Sequence, residues 1–239
     1  MVSMHSFLRP CLAPLTGISS MATRLLLGEL TTAYAERSGQ AIHIESVGGV
    51  DAARRVQAGE AFDVVFLASE AIDKLIVAGH LRSDSKVDLV HSGVAVAVRA
   101  GTQSPDISSE EAVRQAVLSA STLGYSTGPS GVALAKLFER WGIAKQIQLR
   151  TVTAPPGVPV GSLVASGAVA LGFQQLSELL HVQGITIVGP LPPAIQITTT
   201  FSAAITTACT RLADGRALLA YMASQDAAPA KRRQGMVPA

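Results

Sequence analysis

Three short stretches of this 239-residue sequence combine hydroxyl side chains or glycines with a change from strand-like to helix-like patterning. They are Leu15-Thr16-Gly17-Ile18-Ser19-Ser20 ahead of a helical run, Gly48-Gly49 between a β-run over 41–47 and a short helix, and Tyr125-Ser126-Thr127-Gly128-Pro129-Ser130-Gly131. Turns of this kind leave backbone N–H groups uncovered at a helix start, where the helix dipole adds partial positive charge. Such corners cradle small anions. Ser19 and Ser20 read equally well as helix caps or as caps that also touch a ligand. Gly48 and Gly49 read as a tight turn or as an anion cradle. In the third stretch Tyr125, Ser126, Thr127 and Ser130 put four hydroxyls into seven residues, more than a loop requires, where a strand gives way to a helix. Open α/β sheets bind their ligands at such strand ends. Gln174 and Gln175 close another strand after Gly172; a buried amide needs partners, and one facing a cleft could hydrogen-bond a carboxylate.

Other reactive types are sparser. Asp51 reads as a first-turn dipole residue pointing outward, and the adjacent Arg54 and Arg55 cannot share a helix face, so a solvated surface is expected for both. His43, His80, His91 and His181 lack metal-ligand spacing, and His5 lies at the start; no metal and no cofactor are expected. The sequence holds no P-loop, dinucleotide fingerprint, nucleophile elbow or HExxH pair. Glu45, Tyr125 and His91 are the candidates for a general base.

Composition narrows the partners. Hydrophobic residues make up 48% and charged residues 15%, which suits a buried core and argues against disorder. Aromatics at 4% and a net charge of +2 exclude a base-stacking or electrostatic nucleic-acid partner. Lys231-Arg232-Arg233 reads as a solvated helix end. Cys11 and Cys209 are too few for a disulfide framework and are expected as buried free thiols. No apolar run reaches the roughly 20 residues that span a bilayer, so no membrane insertion is expected. Arg9-Pro10 interrupts any signal-peptide core; as it stands the chain is expected to be cytoplasmic, or periplasmic if a leader has been removed.

Strand and helix signals alternate, the pattern of a mostly parallel α/β sheet. Strands are expected over 7–12, 42–47, 64–67, 93–98, 122–125, 147–152 and 169–173, with an extended run over 195–205. Helices are expected after Ser20, over 50–58, 71–78 and 112–119, after Ser130, and over 160–166, 176–182 and 213–223. Ser108 with Glu111 has capping-box spacing. The chain divides best into a discontinuous lobe, 1–91 plus 199–239, and an inserted lobe, 92–198, with the two crossings as a hinge.

Several motifs together carry a family likeness: Ser19-Ser20-Met21-Ala22; Ala53-Arg54-Arg55-Val56-Gln57-Ala58-Gly59-Glu60 with Phe62-Asp63-Val64; Ser92-Gly93-Val94-Ala95-Val96-Ala97-Val98; Leu171-Gly172-Phe173-Gln174-Gln175; and the ending Gln234-Gly235-Met236-Val237-Pro238-Ala239. The chain resembles, over essentially its whole length, the type II periplasmic solute-binding proteins, in particular the molybdate-binding receptors of ABC transporters. The resemblance implies a two-lobed fold with a ligand cleft between lobes, and first-lobe hydroxyls and amides meeting a second-lobe tyrosine around a dianion. Ser20 matches the first-lobe serine. The tyrosine position is Gln175, and the other serine falls in Gly48-Gly49-Val50, which has no hydroxyl. The expected ligand is therefore a small anion, an organic di- or tricarboxylate rather than molybdate or tungstate, with an ABC transporter permease as partner only if the protein is exported. The alternative is a cytoplasmic isomerase of a small unsaturated carboxylate, like relatives resembling aconitate isomerase. A third reading is a ligand-sensing domain working with a partner protein.

Overall fold

The protein was described from a computed structural model covering residues 13–155 and 157–239. The strand expected over 7–12, with His5 and Cys11, lies outside the described residues. The first described strand is instead Leu15–Ser20 (β1), the stretch whose Thr-Gly pair read as a turn. Gly17 serves packing there: a Cβ would meet Val64 Cγ2 at 3.0 Å and Val64 O at 3.1 Å, so glycine lets β1 fit between its neighbours.

A 3-10 turn, Met21–Thr23, leads into helix Arg24–Ser38 (α1), which ends at Gly39 with φ +74°. Ile42–Val47 (β2), Gly49–Gln57 (α2), Val64–Ala68 (β3) and Ser69–Val77 (α3) follow, and β1 pairs in parallel with both β2 and β3. The long strand Val87–Arg99 (β4) then crosses to the second lobe. That lobe contains Glu110–Ser119 (α4), Leu123–Ser126 (β5), Pro129–Arg140 (α5), Ala144–Ile147 (α6), Thr151–Ala154 (β6), Val160–Ser166 (α7), Leu171–Gln175 (β7), Leu176–Leu179 (α8) and Ile185–Pro190 (β8). The chain returns through Thr198–Ile205 (β9) to Leu212–Ala223 (α9), Ala228–Arg233 (α10) and Val237–Pro238 (β10).

The strands run in the order β2-β1-β3-β9-β4-β7-β5-β6, with β8 and β10 also pairing to β4. β4 changes partners along its length: Val87 to Gly93 run antiparallel to β9, whereas Val94 to Ala97 pair with β7 and Ala95 to Arg99 with β8. Each half has its own core. One gathers Leu15, Leu27, Phe66, Phe201 and Leu218; the other gathers Val96, Leu123, Leu134, Phe138 and Phe173. Phe138 centres the second core, its ring 6.0 Å from Tyr125, 5.8 Å from Trp141 and 6.1 Å from Phe173.

Three local expectations are corrected. Ser109, not Ser108, caps α4, accepting from Ala112 N at 3.1 Å. Ile147 to Arg150 is helical, so β6 begins four residues later than its apolar pattern suggested, because Ile147 buries as part of a helix against the second core. In the Lys231-Arg232-Arg233 cluster, only Arg232 and Arg233 are exposed; Lys231 is 1% exposed, and burial lowers its pKa.

Candidate functional site

β1, β2 and β3 all end on one edge of the first lobe, and each is followed directly by a helix start. Ser20, last in β1, has extended backbone (φ −74°, ψ 155°), is 7% exposed, and makes no capping bond. Its Oγ is buried with no hydrogen-bond partner among the described residues. Beside it, a Cβ on Gly49 would lie 3.5 Å from Ser20 Cβ, so the Gly49 backbone and the Ser20 hydroxyl share one corner. Gly48 and Ala68, which precede α2 and α3, supply no side-chain cap. Among the described residues no side chain therefore caps the first-turn N–H groups of either nine-residue helix, which leaves them open to an outside acceptor.

In the second lobe, Gly128 precedes α5 without a side-chain cap. A Cβ on Gly131 would stand 1.7 Å from Ser126 O, so only glycine permits this turn to fold back on β5. Ser126 is half-buried with its Oγ toward Gly128, Thr127 is exposed and Ser130 is buried. The lobes touch directly where Ser177 Oγ donates to Ala22 O at 3.0 Å, two residues beyond Ser20.

Several sequence candidates have other work. Ser19 is fully buried, and its Oγ lies 2.7 Å from Ser46 Oγ, tying β1 to β2. Adjacent strand residues face opposite sides, so Ser19 and Ser20 cannot share a role. Gln174 accepts from Gly161 N (3.1 Å) through Oε1 and donates to Glu178 Oε1 (2.9 Å) through Nε2. Gln175, with its NH2 turned to β4, donates to Ser92 Oγ (2.8 Å) and Ser92 O (3.0 Å) and accepts from Thr199 Oγ1 (2.9 Å). Both amides are consumed inside the protein, and Gln175 clamps the end of β7 to the two crossing strands.

The three base candidates each have partners or surroundings of their own. Both oxygens of Glu45 accept from Arg55 (2.6 and 2.8 Å), whose guanidinium holds this carboxyl below its ordinary pKa and also stacks 5.5 Å from the Phe62 ring centre. Arg55 is thereby committed to Glu45 and Glu60, while exposed Arg54 pairs with Asp51 at 3.1 Å. His91 Nδ1 is 2.9 Å from Thr200 Oγ1. Tyr125 is half-buried, and burial raises its hydroxyl pKa, which keeps it protonated at neutral pH. Cys209 is a buried free thiol.

Glu178 escaped the sequence reading because a lone glutamate in a helical run reads as a solvated face. It is half-buried, and burial pushes its pKa up to about 7 against the single bond from Gln174. Among the described residues no group of three or more His, Cys, Asp or Glu is arranged to hold a metal ion. Open grooves of about 800 Å³ along α1 and β2, and of about 420 Å³ beside Arg99 and Thr102, include none of Ser20, Gly49, Ser130 or Gln175. No helix among the described residues is long and apolar enough to cross a membrane.

Comparison with known proteins agrees with this architecture. A curated relative, "Aconitate isomerase" of a Pseudomonas species, is 38% identical over 234 residues, 94% of this chain and 89% of the relative. Among solved structures, the periplasmic molybdate-binding protein of Azotobacter vinelandii superposes with a TM-score of 0.78 at 22% identity, over 93% of this chain and 98% of that one. The sulfate-binding protein SubI of Mycobacterium tuberculosis gives 0.75 at 15% identity, over 95% and 87%. The two-lobed type II periplasmic-binding fold is common to this chain and those receptors. With the family model described as "Bacterial extracellular solute-binding protein" matching residues 15–237, the chain belongs to that solute-binding protein family.

Proposed function

We propose that this protein binds a small organic di- or tricarboxylate in the cleft between its lobes, as a solute receptor. The observation that carries the reading is Ser20 Oγ, buried and unpartnered beside Gly49 where α2 opens. A buried hydroxyl without a partner is uncommon and calls for an acceptor or donor from outside the chain. A carboxylate fits because it is satisfied by one hydroxyl and a few backbone N–H groups. The hydroxyls expected around a tetrahedral metal oxyanion are missing, since Gly48-Gly49-Val50 carries none and the position of the expected tyrosine is Gln175, whose amide is already engaged. The second-lobe face of the cleft in this reading is the turn over Ser126, Thr127 and Ser130. The lobes, 1–91 plus 199–239 and 92–198, would close over the ligand about β4 and β9. If the protein is exported, an ABC transporter permease would be the partner.

A thermal-shift panel of citrate, both aconitates, sulfate, phosphate, molybdate and tungstate tests the reading. A ligand at 100 times its Kd adds about 2.7 kcal/mol, a shift of several degrees at this size. Stabilisation by carboxylates is expected; stabilisation confined to molybdate and tungstate would overturn the reading.

A second reading, an isomerase of a small unsaturated carboxylate, is favoured by the 38% identity to the curated aconitate isomerase. Water-poor clefts with oriented backbone dipoles stabilise enolate-like intermediates, and proton exchange needs a group titrating near neutrality. An NMR time course with cis- and trans-aconitate tests it, conversion being the expected result and a flat trace the refuting one.

A further inference from the structure

Glu178 has an environment unlike that of the protein's paired carboxylates. Glu29, Glu45, Glu60, Glu110 and Glu111 each face an arginine, whereas no cation forms an ion pair with Glu178 among the described residues. The elements packed against α8 offer none. β7, α7 and the 3-10 turn Met21–Thr23 carry no titratable side chain; β4 brings Asp88, bonded to Ser202, His91, beside Thr200, and Arg99, none hydrogen-bonded or ion-paired with Glu178; and nearby His181 faces Gln234 Oε1 at 3.1 Å. From the C-terminal segment, Gly235 packs against Leu176 and Leu180, but neighbouring Arg233 is paired with Glu29.

The bonding fixes where a proton would sit. Gln174 Oε1 accepts from Gly161 N, so the Gln174 NH2 is the end facing Glu178 Oε1. Oε1 is therefore an acceptor, and a proton carried by Glu178 belongs on Oε2, which no described residue engages. Ser177 bonds to Ala22 O and α8 packs against the Met21–Thr23 turn, so the helix that carries Glu178 lies at the seam between lobes, next to the Ser20 corner. An ionised, unpaired carboxylate at that seam would repel an anionic ligand; a neutral one would donate to it.

We propose that Glu178 is a ligand contact acting in its acid form: Oε2–H donates a hydrogen bond to a ligand carboxylate, and binding takes up one proton from solvent. This inference rests on the carboxylate reading above. Its balance is simple, the Glu178 carboxylate gaining a proton as the ligand enters, with no other group changed. The raised pKa caused by burial makes the uptake occur near neutrality rather than below pH 5.

The test is calorimetric titration of the whole protein with trans-aconitate and with citrate between pH 6 and 8.5, in two buffers of unequal ionisation enthalpy. In the wild-type protein, uptake approaching one proton per ligand is expected at pH 8, with Kd weakening about tenfold per pH unit above 7. E178Q carries a permanent donor at the same place, so it binds with no such pH dependence; E178A binds weakly throughout. The ligand's own ionisation is common to all three proteins and cancels in their ratios. Binding without proton uptake, or a constant E178Q to wild-type ratio across pH, overturns this proposal and leaves the carboxylate reading standing. If neither carboxylate binds at any pH, both fall.

Discussion

At the scale of single residues, adjacent serines divide into a structural and a ligand-facing one. Ser19 pairs with Ser46, while the Ser20 hydroxyl is buried alone. S20A removes an unsatisfied polar atom and is expected to leave stability unchanged or raise it by up to about 1 kcal/mol, while weakening carboxylate binding tenfold or more. S19A should do the reverse, costing about 1 kcal/mol with affinity retained. Urea denaturation and calorimetry on the two variants decide this. Glu178 makes a separate prediction about stability. Its folded pKa of about 7 stands above the ordinary 4.5, so the folded protein binds the proton more tightly than the unfolded chain. Its contribution to stability is full below about pH 4.5 and is lost as pH rises through about 7. The Tm of E178Q relative to wild type should therefore rise across that window; a pH-independent difference would contradict it.

At the scale of elements, glycines that look alike in sequence do different things. Gly131 has no room for a side chain, since Ser126 O occupies the space, whereas a Cβ on Gly28 in the middle of α1 meets nothing within 4 Å. G131A is expected to destabilise by about 3 kcal/mol or more through a clash with backbone. G28A should stabilise by about 0.5 to 1 kcal/mol through helix propensity. Denaturation midpoints check both. Much of this level was legible in the sequence: the alternation of strands and helices, the glycines that open α2 and α5, and the Gly39 and Gly167 stops all follow from local rules. Gly17 was misread because a glycine needed for close strand packing and a glycine needed for a turn carry the same letter. β8 was passed over although Ile185-Thr186-Ile187-Val188 is a β-branched run bounded by Gly184 and Gly189-Pro190; only its pairing with β4 is non-local.

At the scale of the whole molecule, Gln175 joins the lobes. Its amide spans Ser92 on β4 and Thr199 on β9, the two strands that carry the chain between halves. Q175A leaves those partners unsatisfied and opens a cavity, so a loss of about 2 to 4 kcal/mol is expected. A variant that kept its stability and lost only affinity would show that Gln175 serves the ligand instead. The sequence by itself determined the class of fold, the order of elements and the places where helices open on strand ends, because capping, periodicity and glycine conformations act within a few residues. Tertiary structure alone decided which polar side chain at each place is left free. Ser19 is used up by a residue 27 positions away, and Gln175 by partners on either side of the inserted lobe. Glu178 acquires its proton affinity only from burial against elements folded around it. Hydrogen-bond satisfaction and desolvation belong to the assembled neighbourhood of a residue, so local sequence rules do not reach them.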